Sequence, residues 1–180
     1  MVEYRGGVAH TLMRRYASVT LFAKSTYMRN VAMPKLLFSS WSYWADRGSL
    51  ENINYPGVYA LAITSDDLTG QKMSFENVVY IGMSNSLSGI KGRLNQLNRS
   101  INGGHGHSGG NTIRGHLGEY SDWKNDLDLY VSICPIICDV KRRSIEDLKL
   151  MGAVSYMEYE AFSLFRSKNS ALIKPKYNKQ

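Results

Sequence analysis

Gly57-Val58-Tyr59-Ala60-Leu61-Ala62-Ile63-Thr64 and Asn77-Val78-Val79-Tyr80-Ile81-Gly82-Met83-Ser84 are two apolar runs rich in β-branched and aromatic residues. Each is the length of a single strand and is bounded by turn formers. Between them, residues 65–77 carry Asp66-Asp67 and Thr69-Gly70, both turn signals. The pair predicts an antiparallel hairpin with a long polar connection.

Outward from the hairpin the period changes. Ile90, Leu94, Leu97 and Ile101 recur at i, i+4, i+7 and i+11, which predicts an amphipathic helix over 89–102. Residues 101–111, INGGHGHSGGN, are too glycine-rich for regular structure and suit close backbone approach to a ligand. LDLYVSICPII, residues 127–137, is the third strand candidate. Residues 143–168 read as a second long helix, with Gly152 a candidate break. On the N-terminal side, Met33, Leu37, Trp41 and Trp44 fall on one face of a helix that Pro34 could start and Asp46-Arg47-Gly48 could end. The expected fold is α+β: a three-stranded antiparallel sheet flanked by helices, with a helical N-terminal extension.

The chain has 180 residues and a formal charge of +7, enough for one sizeable core. Residues 1–56 hold seven Lys and Arg against three Asp and Glu; residues 57–140 hold six against eight; residues 141–180 hold nine against four. Basic flanks around a slightly acidic middle suit a polyanion gripped at its sides near a carboxylate-bearing centre. No run approaches the ~20 apolar residues of a membrane helix. The N-terminal sequence lacks the apolar core of a signal peptide, so a cytoplasmic protein with no membrane partner is expected. Cys134 and Cys138 suit neither a disulfide framework nor a four-ligand zinc site and read as reduced, buried thiols.

Two charged residues fall where apolar ones are expected. Arg93 flanks the buried stripe of the first helix, where a guanidinium needs an anion. A phosphate answers its rigid fork of donors, and a carboxylate such as Asp66 or Glu119 answers it equally. Glu158 stands among Met151, Val154, Ala161, Phe162 and Phe165 on the last helix and needs a cation, either Lys/Arg or a metal. Glu160 projects to the other side, where solvation suffices.

Gly57-Val58-Tyr59, Tyr80-Ile81-Gly82, an arginine in the next helix, a glutamate in a later one and a terminal Pro175-x-x-Asn178 together resemble the GIY-YIG nuclease superfamily, over about residues 55–180. The resemblance implies a three-stranded sheet flanked by helices and a catalytic domain over 56–180, with residues 1–55 as an extension that embraces DNA or dimerises. It implies hydrolysis of DNA phosphodiesters with one Mg²⁺, for which Mn²⁺ could substitute. In that pattern Tyr59 and Tyr80 are the motif tyrosines and Arg93 is the phosphate-binding arginine. Glu158 (alternatively Glu160) is the metal ligand, and Asn178 is the late asparagine. A histidine commonly follows the arginine helix, and His105, His107 and His116 are candidates, with His107 preferred. Lys72 and Lys91 flank the motif within reach of phosphates. Tyr59, its pKa lowered by the metal environment and Arg93, would orient or deprotonate the attacking water.

Three departures stand out. The tyrosines are 21 residues apart, about twice the spacing usual in the family, and the stretch from Glu158 to Asn178 is also long, so Asn178 could support the fold rather than the site. The choice of Glu158 over Glu160 would shift with a two-residue slip. A compact chain of this kind is similar to restriction enzymes of the superfamily, which implies a site-specific homodimer cutting double-stranded DNA, with a cognate DNA methyltransferase as a possible companion. A structure-selective nickase and a non-catalytic DNA-binding module are the alternatives.

Overall fold

The computed structural model describes residues 33–179, and residues from Pro34 onward form one compact unit. Four strands make an antiparallel sheet in the order β1-β4-β2-β3: β1 (Ser42–Tyr43), β2 (Gly57–Thr64), β3 (Tyr80–Ser84) and β4 (Asp128–Pro135). Among the described residues the helices are α1 (Gly89–Ile101), α2 (Ser108–Leu117), α3 (Tyr120–Trp123) and α4 (Ile145–Lys168), with 3-10 turns at Trp44–Ser49 and Phe75–Asn77. No helix among the described residues is long and apolar enough to cross a membrane.

β2 is buried through Ala62 because both of its faces are covered. Tyr59 and Leu61 point into a core built with Ile90, Leu94, Leu97 and Ile101 of α1. Val58, Ala60 and Ala62 point the other way, onto Val154, Met157, Ala161 and Phe165 of α4. The alternation is that of a strand between two layers, and its apolar run is nearly continuous for that reason. Register follows: Tyr59 pairs with Gly82 and Leu61 with Tyr80, so both motif tyrosines stand on the α1 face.

The structure differs from several expectations. The sheet has four strands, because Ser42 and Tyr43 pair with Val131 and Tyr130 at the edge of β4. Residues 33–41 are not helical. Their N–H groups find distant partners instead: Ser39 donates to the Ile133 carbonyl at 2.8 Å, Trp41 to Gln71 at 2.9 Å. Trp41 and Trp44, which helical spacing placed on one face, lie in opposite cores, while Leu37 is exposed. Residues 34–55 are therefore built into the same unit as the catalytic candidate, and residues 1–32 of the expected extension lie outside the described residues.

The glycine-rich stretch is partly helical, since α2 begins at Ser108 with His107 as its N-cap. α4 runs unbroken through Gly152, started by a reciprocal Ser144–Asp147 capping box.

Candidate active site

β3 is the outer strand on its side of the sheet, and two different things meet its free edge. Along its first half the C-terminal tail is docked. Tyr177 N–H donates to the Val79 carbonyl at 2.9 Å. The Asn178 amide then closes a two-point pair with the Ile81 backbone, accepting from N–H at 2.9 Å and donating to C=O at 2.7 Å. Asn178 acts as an extra strand residue, which blunts the edge and holds Tyr80-Ile81-Gly82 in place. Beyond it, Met83, Ser84, Asn85, Ser86, Arg93 and Gln96 line an open cleft of about 320 Å³.

Three rings stand together on the α1 side of the sheet. Tyr59 and Tyr80 have centroids 6.0 Å apart, and His107 lies 5.7 Å from Tyr80 and 6.4 Å from Tyr59. Glycines make the room. A Cβ on Gly82 would sit 2.5 Å from the Tyr59 Oη, and one on Gly109 would sit 2.2 Å from Cε2 of Tyr80. The glycine that closes Tyr80-Ile81-Gly82 is thus required by the tyrosine of the neighbouring strand.

His107 is fully buried and polar at three points. Its N–H donates to Ser100 Oγ at 3.0 Å, its Nδ1 accepts from Gly110 N–H at 3.0 Å, and its Nε2 lies 2.7 Å from Tyr59 Oη. Burial, with Arg93 adding to it, lowers the imidazole pKa to about 3, so the ring is neutral near pH 7. A neutral ring whose Nδ1 accepts must carry its proton on Nε2. His107 therefore donates to Tyr59, and the Tyr59 O–H is left to point elsewhere. The Tyr80 ring stands beside it, its centroid 6.0 Å from that of Tyr59. A polar chain thus runs from the α2 backbone through His107 to Tyr59.

Burial is the largest influence on both tyrosines. It pushes Tyr59 well above the ordinary phenol range, with Tyr80 adding to the rise and Arg93 pulling down by less. The expected lowering of Tyr59 is thus outweighed in the protein by itself. Tyr80 is also raised by burial, pulled down by Tyr59 and Arg93 and pushed up by Glu158. Glu158, half-buried, is raised by burial and held down in part by Arg93. Arg93 and Glu158 come from α1 and α4, on opposite faces of the sheet, and they act on each other and on Tyr80 around the β3 edge.

Arg93 donates Nη1–H to Gln96 Oε1 at 2.9 Å and forms no ion pair with Asp66 or Glu119. Arg93 also lines the cleft. Glu160 lies elsewhere: its charge acts on the Cys134 thiol, which burial raises most. His105 is exposed, and His116 is exposed against the Tyr177 ring at 5.7 Å. Among the described residues no hydrogen bond or ion pair joins Lys72 or Lys91 to this cluster. Lys91 lines a separate groove with Arg47. Both cysteines are free and buried.

Ser100, Gly109 and Gly110 belong to the site and were not foreseen. The signal for Ser100 was a polar residue three positions after Leu97 on the buried stripe of α1. The signal for the glycines was a Gly-Gly pair two residues after His107, where a side chain would strike Tyr80 or Ser100.

Among the described residues no cluster of three or more His, Cys, Asp or Glu could hold a metal ion. The donor set is a single half-buried carboxylate. That fits a hard divalent ion which takes its other ligands from water and a substrate phosphate, and it does not fit a closed structural metal. No protein-family model, curated protein or solved structure matches the chain.

Proposed function

We propose that this protein is a divalent-metal-dependent DNA endonuclease of the GIY-YIG type, cutting double-stranded DNA at specific sites. The observation that carries the reading is the convergence of Tyr59, Tyr80 and His107 in one buried ring cluster with Arg93 and Glu158 at its mouth. These five side chains come from two strands and three helical segments spread over 100 residues. A fold has no packing need to gather a guanidinium, a carboxylate and two phenols at one strand edge. A phosphodiester supplies an anion that matches the donor fork of Arg93.

Each residue then has a task. Arg93 presents its fork to the phosphate and stabilises the charge that builds on its equatorial oxygens. Tyr80, nearest the mouth, positions the attacking water. Tyr59 stands behind it as proton acceptor or orienting group. The His107 Nε2–H and the Arg93 charge both favour its phenolate beyond what burial alone would allow, which is the direction a general base requires. Glu158 would hold Mg²⁺ or Mn²⁺, and the bound ion supplies Lewis-acid stabilisation of the leaving 3′ oxygen. Nine Lys and Arg in residues 141–180 give the backbone grip expected of a DNA ligand. A cognate methyltransferase and a two-fold assembly on a palindromic site complete the restriction-type reading.

The test is incubation of the pure protein with plasmid and larger genomic DNA, in Mg²⁺ and in EDTA, beside Glu158→Gln and Glu160→Gln. Discrete Mg²⁺-dependent fragments, lost by at least 100-fold in Glu158→Gln and retained in Glu160→Gln, are expected. Nicked circles alone would move the reading to a nickase. DNA retention in a gel shift without cleavage on either substrate would move it to a binding module.

A further inference from the structure

The outer face of α4 carries a pattern that neither its own fold nor the active site uses. Ile145, Leu148, Tyr156 and Tyr159 are 61%, 51%, 54% and 74% exposed. At 100° per residue all four lie within about 40° of the direction in which Gly152 points. They form a stripe opposite the face that Val154, Met157, Ala161 and Phe165 bury against the sheet. A helix apolar on both sides is expected where both sides are covered.

The stripe is symmetric about Gly152. Ile145 and Tyr159 lie seven residues to either side, Leu148 and Tyr156 four to either side, and Gly152 itself has open space where a Cβ would be. An antiparallel copy of the same helix, centred on Gly152, sets Ile145 against the Tyr159 position and Leu148 against the Tyr156 position. Gly152 meets its own counterpart at the crossing, where a missing side chain allows close approach. This self-complementarity is what a two-fold interface demands, since each residue must find its partner on the same patch. The four side chains offer roughly 500 Å² per protomer. Doubled, that reaches the ~1,000 Å² at which a specific interface becomes stable.

We propose that α4 is the two-fold interface of a homodimer, packed antiparallel about Gly152. Its occupant is a second copy of this chain. The interface stands whether or not the chain is a nuclease. Its consequence for cutting rests on the proposed reading of the site. A two-fold perpendicular to the plane of the paired helices leaves out-of-plane coordinates unchanged. Glu158, about 120° around α4 from Gly152, is therefore on the same side of the dimer in both protomers. The two positions are about 18 Å apart along the helices. Both sites would face a single duplex.

The experiment is sedimentation equilibrium of the full chain, with no DNA, beside Leu148→Glu and Tyr156→Glu. Both substitutions sit at exposed positions, and circular dichroism checks that the fold is kept. A dimer whose dissociation constant rises at least 100-fold in each variant is expected. For the register, Gly152→Cys and Ile145→Cys are treated with a short bifunctional thiol reagent. The first should cross-link to its copy and the second should not, because antiparallel pairing puts the two Ile145 positions about 21 Å apart. A monomer at every concentration, a dimer indifferent to both glutamates, or equal cross-linking from 145 and 152 would overturn the proposal. Cleavage assays play no part in these outcomes, so a failure here is separable from a failure of the nuclease reading.

Discussion

Replacing Gly82 by alanine adds one methyl group to the site and nothing else. The new Cβ would lie 2.5 Å from Tyr59 Oη, 2.7 Å from its Cζ and 2.8 Å from Cε1 of Tyr80. Ordinary contact needs about 3.5 Å, so the Tyr59 ring or β3 must yield by about 1 Å. Neither can yield freely. Tyr59 has no exposed surface, and its hydroxyl is held by His107 at 2.7 Å. β3 is paired to β2 through five residues and gripped on its other edge by Asn178.

Overpacking of this kind costs about 1–3 kcal/mol, seen as a fall in Tm of several degrees. A misplacement of about 1 Å at a reacting group lowers turnover by ~100-fold. Both are measured on the same preparation, by urea denaturation and by single-turnover plasmid cleavage with saturating enzyme. Gly115→Ala is the control: Gly115 is exposed in α2 with nothing within 4 Å of a Cβ, so it should leave cleavage unchanged and slightly raise stability. Cleavage by Gly82→Ala within two-fold of the parent would refute the idea that the Tyr59 hydroxyl sits at the reacting centre, whatever the stability change.

Three further outcomes follow from the same geometry. Glu158 must be ionised to hold a cation and its pKa is raised by burial, so cleavage should rise with pH through a midpoint above that of an ordinary glutamate; a midpoint at or below the ordinary glutamate value would contradict this. His107 is held neutral down to about pH 3 while the unfolded chain binds its proton near pH 6.5, so the unfolded state is favoured as pH falls between those values, by on the order of 5 kcal/mol at the limit. Urea denaturation at stepped pH should show a shallower acid decline in His107→Gln than in the parent, and parallel curves would remove His107 from the account. Asn178→Ala deletes two partly buried hydrogen bonds at about 1 kcal/mol each, and Asn178→Asp, which sets an oxygen against the Ile81 carbonyl, should cost more; equal stabilities by denaturant titration would show that the tail does not hold β3.

The parts of this fold that were legible in sequence are those whose pattern is one-sided and local. α1 shows one apolar face for three turns, and its ends were read within a residue. The hairpin of β2 and β3 was legible because each strand is a short apolar run between turn signals. The segment before them was misread because Met33, Leu37, Trp41 and Trp44 happen to recur at helical spacing. What decides its conformation is the pair of carbonyls on Ile133 and Gln71, about 94 and 30 residues away, which no local window contains. α2 was missed for a related reason. Gly109 and Gly110 lower helix propensity by about 1 kcal/mol each, yet they are required there because Tyr80 and Ser100 occupy the space a side chain would take. The site glycines look like loop residues until the rings they accommodate are in place.

The same contrast explains why a face argument favoured Glu158 over Glu160, whereas the preference for His107 over His105 and His116 had no such argument behind it. Glu158 and Glu160 differ by two positions on one helix, about 200° apart, so a face argument suffices to send one toward Arg93 and the other toward Cys134. His105, His107 and His116 lie near helix ends, where no periodicity assigns a face. His107 is distinguished only by its surroundings: Ser100 on its backbone, Gly110 on Nδ1, Tyr59 on Nε2. Those three contacts set its tautomer before any substrate arrives. They also make it a group that donates to Tyr59 and cannot take a proton from it, because its one unprotonated nitrogen is already engaged with the α2 backbone. In the proposed reading, a proton leaving the attacking water would have to pass to a Tyr59 phenolate or to another acceptor at the cleft, and not to His107. What His107 does in the structure is hold the Tyr59 oxygen in place, at 2.7 Å.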